Sequence, residues 1–181
     1  MLLSIIRCLS AYHLRAATTD DADVLVHHRI AMFQDMKIQF DPDVLSRAFR
    51  PWLIDKMRDG TYHAWVVEDA THAVAAGAGA SVLPWPPGPQ YMNERLAVVY
   101  NVYTEPPHRR RGLARRLMEA IHGWCRAAGI SSVALNASPD GRPLYESMGY
   151  QLPSSPMMFF SIAGYNPSAL AEEGRPIRSD N

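Results

Sequence analysis

Five arginines, Arg109, Arg110, Arg111, Arg115 and Arg116, crowd into one short stretch around Gly112. A guanidinium presents a planar fork that pairs bidentately with phosphate or carboxylate oxygens, so the cluster points to an anion. Its flanks sharpen that reading. The run before it, Arg95 to Thr104 (RLAVVYNVYT), is rich in β-branched and aromatic residues and reads as a buried central strand. After it, Leu113, Leu117, Ala120, Ile121, Trp124 and Ala128 fall on one stripe of a helix running from about Arg111 to Ala128, with Arg115, Glu119 and Arg126 opposite. Where a strand turns into a helix, unpaired N–H groups and the positive end of the helix dipole converge, which makes an anion site. Gly112 lets the backbone come close to a ligand there, and Ala114 keeps the next turn slim. The alternatives are a solvated basic face and a nucleic-acid patch. The first is weakened by the strand and apolar stripe on either side. The second lacks aromatic residues between the arginines.

Other reactive side chains are scattered. Adjacent His27 and His28 cannot share one helix face and no HExxH pattern exists, so no metal is expected. Gly77-x-Gly79 leads to Pro84 instead of a helix and lacks a third glycine, which excludes a dinucleotide loop. The only two cysteines, Cys8 and Cys125, cannot build a disulfide scaffold or a four-cysteine zinc site.

The chain has 181 residues, 48% of them hydrophobic, and its 18 basic and 18 acidic side chains cancel. That suits one domain with a sizeable core and argues against disorder and against a nucleic-acid coat. Lys37 and Lys56 are the only lysines, so arginine supplies nearly all positive charge. Met1 to Ala11 is apolar but short for a membrane span and lacks the basic start of a secretory signal. It is expected to be a ragged extension or an extra edge strand of a soluble cytoplasmic protein.

The elements that must position the arginines follow in order. Tyr12 to Ala16 alternates as a strand, and Thr18, Thr19 and Asp20 are helix-start candidates. Helices are expected from Ala22 to Met36 and from Asp41-Pro42 to about Asp59, where Gly60 stops the second. Thr61 to Glu68 and His72 to Leu83 read as a hairpin, and Pro84 to Pro89 as a stiff loop. Beyond the arginine-led helix, capped by Gly129, come a strand from Ser131 to Ala137, a short helix from Gly141 to Met148, a last strand from Met157 to Ile162 and a polar tail. Together these make a mixed α/β sheet.

Two motifs in these elements resemble the GCN5-related N-acetyltransferase (GNAT) superfamily. Arg109-Arg110-Arg111-Gly112-Leu113-Ala114 is similar to the Gln/Arg-x-x-Gly-x-Gly/Ala signature that holds the coenzyme A pyrophosphate in that family. Asn136-Ala137-Ser138 with Pro143-Leu144-Tyr145-Glu146-Ser147-Met148-Gly149-Tyr150 resembles its second motif. The resemblance spans Tyr12 to Ile162. It implies a GNAT-type fold with a mixed, mostly antiparallel sheet, splayed central strands and flanking helices. Its domain would run over residues 12–165, after an extension over 1–11 and before a tail over 166–181.

The resemblance further implies transfer of an acetyl group from acetyl-CoA to a primary amine by direct attack in a ternary complex, with no metal. Residues 109–115 (Arg109, Arg110, Arg111, Gly112, Leu113, Ala114 and Arg115) would hold the cofactor's phosphates. Main-chain groups of Val102 and Thr104, faced by Asn136, would hold the pantetheine and thioester. Tyr145 matches the tyrosine that protonates the departing thiolate, and a phenol with an ordinary pKa of about 10 keeps that proton at neutral pH. Alternatively it packs the short helix as a core tyrosine. Many relatives carry a glutamate on the central strand near the position of Tyr100. It is missing here, which leaves Glu68, Glu94, Glu105 or water as base and raises the alternative of a non-catalytic acyl-CoA-binding module. The acceptor is expected between the first two helices and the Pro84 to Pro89 loop. Trp85 and Tyr91 would form an aromatic wall, and Arg29 would either hold an acceptor carboxylate or pack over the helix edge. Trp52, Trp65 and Trp124 are expected in the core. A homodimer is left open; no nucleic-acid or membrane partner is expected.

Overall fold

A computed structural model describes residues 12–88, 92, 94–154, 157 and 158. The extension over 1–11, Tyr91, the tail and the expected last strand, apart from Met157 and Met158, lie outside the described residues. Five strands form one sheet in sequence order: β1 (His13–Ala16), β2 (Tyr62–Glu68), β3 (Val74–Pro84), β4 (Arg95–Thr104) and β5 (Val133–Leu135). The first four pair antiparallel and β5 pairs parallel to β4. The helices are α1 (Ala22–Asp35), α2 (Pro42–Arg58), α3 (Leu113–Ala127) and α4 (Arg142–Ser147).

Local chemistry accounts for the boundaries. Thr18 and Asp21 form a reciprocal capping box on the 3₁₀ turn that leads into α1. Asp41 caps α2 by accepting from the N–H groups of Asp43 and Val44, with Pro42 in the first turn. α3 starts at Leu113, two residues later than expected, because Arg110 (φ 62°) and Gly112 (φ 78°) take left-handed backbone that no helix accommodates.

Alternation along the strands sends side chains to two apolar layers. On one face, Leu113, Leu117, Met118, Ile121 and Cys125 of α3 pack against Trp65, Val67, Ala97 and Val99. On the other, Leu25, Val26, Phe49 and Leu53 of α1 and α2 cover Tyr62, Ala64 and Val66. Trp65 is buried and Trp124 packs beside it, as expected, but Trp52 is 41% exposed and belongs to a cavity wall instead of the core. Gly77 and Gly79 have a packing reason. A Cβ at Gly79 would lie 2.0 Å from the Tyr62 hydroxyl, and one at Gly77 would lie 2.8 Å from His28 Nδ1. These glycines let Tyr62 and His28 lie flat across β3. No described helix is long and apolar enough to cross a membrane.

Candidate active site

The sheet opens at β4. Only Ala97, Val98 and Val99 pair with β5, so among the described residues β4 from Tyr100 onward has β3 alone as a partner. The register to β3 also slips, from Gly79 opposite Tyr100 to Gly77 opposite Tyr103. Asn101 and Val102 therefore both oppose Ala78, a β-bulge with Asn101 in left-handed backbone at φ 57°. The bulge bends β4 where β5 leaves it, and main-chain groups beside Val102 are freed from both ladders. That slot was expected; the bulge was not. Asparagine inside a β-branched run was the available signal, since it tolerates left-handed backbone better than other side chains.

Just beyond β4, the N-terminus of α3 carries the arginines. Gly112 supplies no side-chain cap, and the first bond of the helix runs from Arg116 N–H to Gly112 O at 3.1 Å. The N–H groups of Leu113, Ala114 and Arg115 thus lack intrahelical acceptors. Among the described residues, Arg109 alone of the five has an acidic partner, Asp35 of α1. Its Nε also donates to Thr104 O at 2.9 Å, so this arginine ties strand end, turn and α1 together, and the Thr104 carbonyl is engaged. Arg111 reaches Pro107 O, Arg115 donates to Ser147 Oγ at 2.6 Å, and Arg116 donates to Tyr12 O at 2.7 Å. Among the described residues these neutral acceptors leave the positive charge of Arg111, Arg115 and Arg116 without an acidic partner, while the Leu113 side chain is buried in the core and offers only its backbone. Free N–H groups and excess cationic charge fit a diphosphate.

Tyr145 is buried on α4, in the apolar layer that α3 shares with Val102, and its ring meets Tyr150 edge-on at 5.8 Å. Burial pushes its phenol up, so it holds its proton more firmly. The Arg115–Ser147 bond and a 2.7 Å bond between His122 Nε2 and the Tyr150 hydroxyl fasten α4 to α3. Asn136 is exposed just past β5.

On the opposite face of the sheet, Arg29, Phe49, Trp52, Tyr62, Ser81, Leu83, Tyr100 and Asn101 enclose a cavity of about 300 Å³ against the β4 bulge. Arg29 Nη1 donates to Asn101 Oδ1 at 2.6 Å, and Asn101 Nδ2 donates to the Tyr62 hydroxyl at 3.0 Å. Burial pushes the Tyr62 phenol up to about 12, so it stays neutral. None of the expected bases lines this cavity. Glu68 is bound by Arg15 at 2.7 Å on the β1 side of the sheet. Glu105 faces His27 at 3.0 Å and His28 at 3.4 Å. Glu94 lines a more open hollow of about 580 Å³ with Val82, Pro84, Met92 and Arg95. Trp85 bonds through its N–H to Glu94 O and is not part of the Arg29 cavity. Among the described residues no group of three or more His, Cys, Asp or Glu is placed to hold a metal. Sequence reasoning missed Phe49, Tyr62 and Ser81, which carry no local motif.

The Acetyltransferase (GNAT) family model matches residues 28–150, which takes in β4, the arginine turn, α3 and α4. The chain belongs to the GNAT family. Among solved structures, a GCN5-related N-acetyltransferase from Ralstonia eutropha is similar at 33% identity and a TM-score of 0.76, over 84% of this chain and 99% of that one. A predicted acetyltransferase with acetyl-CoA from Clostridium acetobutylicum follows at 24% identity and a TM-score of 0.72, over 82% and 96%. A ribosomal-protein-alanine N-acetyltransferase from Brucella melitensis shares the fold at 21% identity and a TM-score of 0.62, over 83% and 99%. No curated protein matches the sequence. For this GNAT chain, the open β4 edge and the arginine-led turn occupy the elements that the family motifs implied.

Proposed function

We propose that the protein is an acetyl-CoA-dependent N-acetyltransferase in which a primary amine attacks the thioester directly in a ternary complex. The observation that carries the reading is a pair of sites on either side of one strand. An arginine-rich turn with free backbone N–H groups lies at the end of β4, and a cavity abuts the β4 bulge from the other face. In the reaction the amine nitrogen bonds to the acetyl carbon, the C–S bond breaks, the sulfur takes a proton and the nitrogen gives one to water. The backbone N–H groups of residues 113–115, with Arg111, Arg115 and Arg116, bind the diphosphate. Main-chain groups at Val102 hold the pantetheine by extending the sheet edge. Tyr145, kept protonated by burial, supplies the proton to sulfur. With no carboxylate on the cavity wall, the amine enters neutral or loses its proton to water.

That missing carboxylate also favours a second reading, a non-catalytic acyl-CoA-binding module. A screen of CoA release over amino acids, polyamines, aminoglycosides and N-terminal peptides separates the two. Turnover with any of these amines supports the enzyme. Thermal stabilisation by acetyl-CoA without turnover across the panel supports the module.

A further inference from the structure

Arg29 is a half-buried cation with no acidic partner among the described residues. Its guanidinium is held by the Phe49 ring at 4.6 Å and the Phe33 ring at 5.0 Å, and one nitrogen is spent on Asn101. Its Nε is buried with no hydrogen-bond partner. Desolvation disfavours the charge, and the groups facing it across the cavity, Tyr62 and Tyr100, are phenols and not carboxylates. A charge removed from water is ordinarily paired or hydrogen-bonded, and a guanidinium keeps its proton in proteins. Asn101 and the two rings meet that need only in part, and among the described residues no anion faces the guanidinium. The remaining wall is mostly apolar and aromatic, from Phe49, Trp52 and Leu83 with Ser81 beside them, and a space of about 300 Å³ is at the small end of ligand cavities.

We propose that Arg29 binds the carboxylate of the acceptor, which is a single amino acid with an apolar or aromatic side chain. This rests on the acetyltransfer reading for its chemistry but adds the substrate class. The carboxylate takes the free edge of the guanidinium, the side chain lies against Phe49, Trp52 and Leu83, and the amine is directed toward the bulge at Asn101. The same positive charge disfavours an ammonium in the cavity, which promotes the neutral nucleophile in the absence of a base.

The test uses the full chain and amines that differ only at the carboxyl group, phenylalanine against phenylalaninamide and leucine against leucinamide. CoA release is followed with acetyl-CoA. Binding of N-acetylphenylalanine and of its amide is followed by calorimetry, which reads the cavity whether or not any amine turns over. The acid is expected to be preferred at least tenfold in both measurements. Arg29→Met fills the space between the two rings without the charge, and is expected to abolish the preference while the Kd for acetyl-CoA stays within twofold. Equal binding of acid and amide by the wild-type protein overturns the proposal without recourse to any variant. A preference that survives in Arg29→Met overturns it too. An acid preference in binding with no CoA release from any amine keeps the carboxylate site and counts against acetyl transfer instead.

Discussion

Tyr145 and Gly112 show how different the demands on single residues are. Tyr145 would give up a proton, and its burial raises the phenol above the ordinary tyrosine value, so the acid form persists through neutral pH. Tyr145→Phe removes one hydroxyl that has no hydrogen-bond partner among the described residues and leaves the ring in the core. In a CoA-release assay its kcat is expected to fall about a hundredfold, the low end for loss of a general acid, with the melting temperature nearly unchanged. No decline in wild-type rate attributable to this group is expected until pH passes the usual tyrosine range. Gly112 has open space where a Cβ would go but a φ of 78°, so Gly112→Ala is opposed by backbone strain of roughly 1–2 kcal/mol. Relief of that strain would re-aim the N–H groups beside it. The KM for acetyl-CoA is expected to rise several-fold with little change in kcat, checked by titrating acetyl-CoA at saturating amine.

At the scale of elements, β3 and β4 are shaped by what crosses them. Tyr62 can reach Asn101 only because residue 79 has no side chain, and Asn101 is available only because the bulge turns it into left-handed backbone. Gly79→Ala would place a methyl group within 2.0 Å of the Tyr62 hydroxyl. It is expected to destabilise the protein by about 3 kcal/mol, a value typical of an overpacked core, and to open the Arg29 cavity by displacing Tyr62. Gly123→Ala, in the middle of α3 with nothing within 4 Å of the new Cβ, is expected to stabilise by roughly 0.5–1 kcal/mol. Denaturant melts of the two variants beside the wild-type protein check both signs.

For the whole molecule, acid is the sensitive direction. His28 is fully buried against Tyr103 and β3, flanked by His27 and by Glu105, and desolvation, followed by repulsion from His27, lowers its pKa to about 4 from an ordinary 6.5. The unfolded chain therefore binds a proton that the folded chain refuses. Stability is lost as pH falls from about 6.5 to 4, by an amount on the order of 3 kcal/mol. Asp21 and Glu68 act later in the same direction. Arg15 holds both carboxyls below their ordinary values, so their contribution is present above the unfolded carboxylate range and is lost as pH falls through the folded values. Unfolding free energies measured at pH 7, 5.5 and 4 are expected to decline steadily, with His28→Leu flattening the upper part of that decline.

Periodicity and caps, which are local, made the element order legible from residues alone: the helix-start candidates at Thr18 to Asp20, Asp41-Pro42, the α3 stripe and the strand from Arg95 to Thr104. The arginine turn and the Tyr145 helix were legible too, because each is one continuous segment whose chemistry needs neighbours in sequence. The reach of individual arginines was not. Arg109 turns to Asp35, and only tertiary packing brings α1 beside that turn. The cavity is the clearest case. Its wall draws Arg29, Phe49, Tyr62, Ser81 and Asn101 from α1, α2, β2, β3 and β4, so no spacing along the chain encodes it. The sequence by itself determined the fold class and the arginine-led turn, both products of short-range pattern. Tertiary structure decided what faces that turn across β4, because a bulge, two glycines and a guanidinium bonded to Asn101 acquire meaning only when the layers close around them.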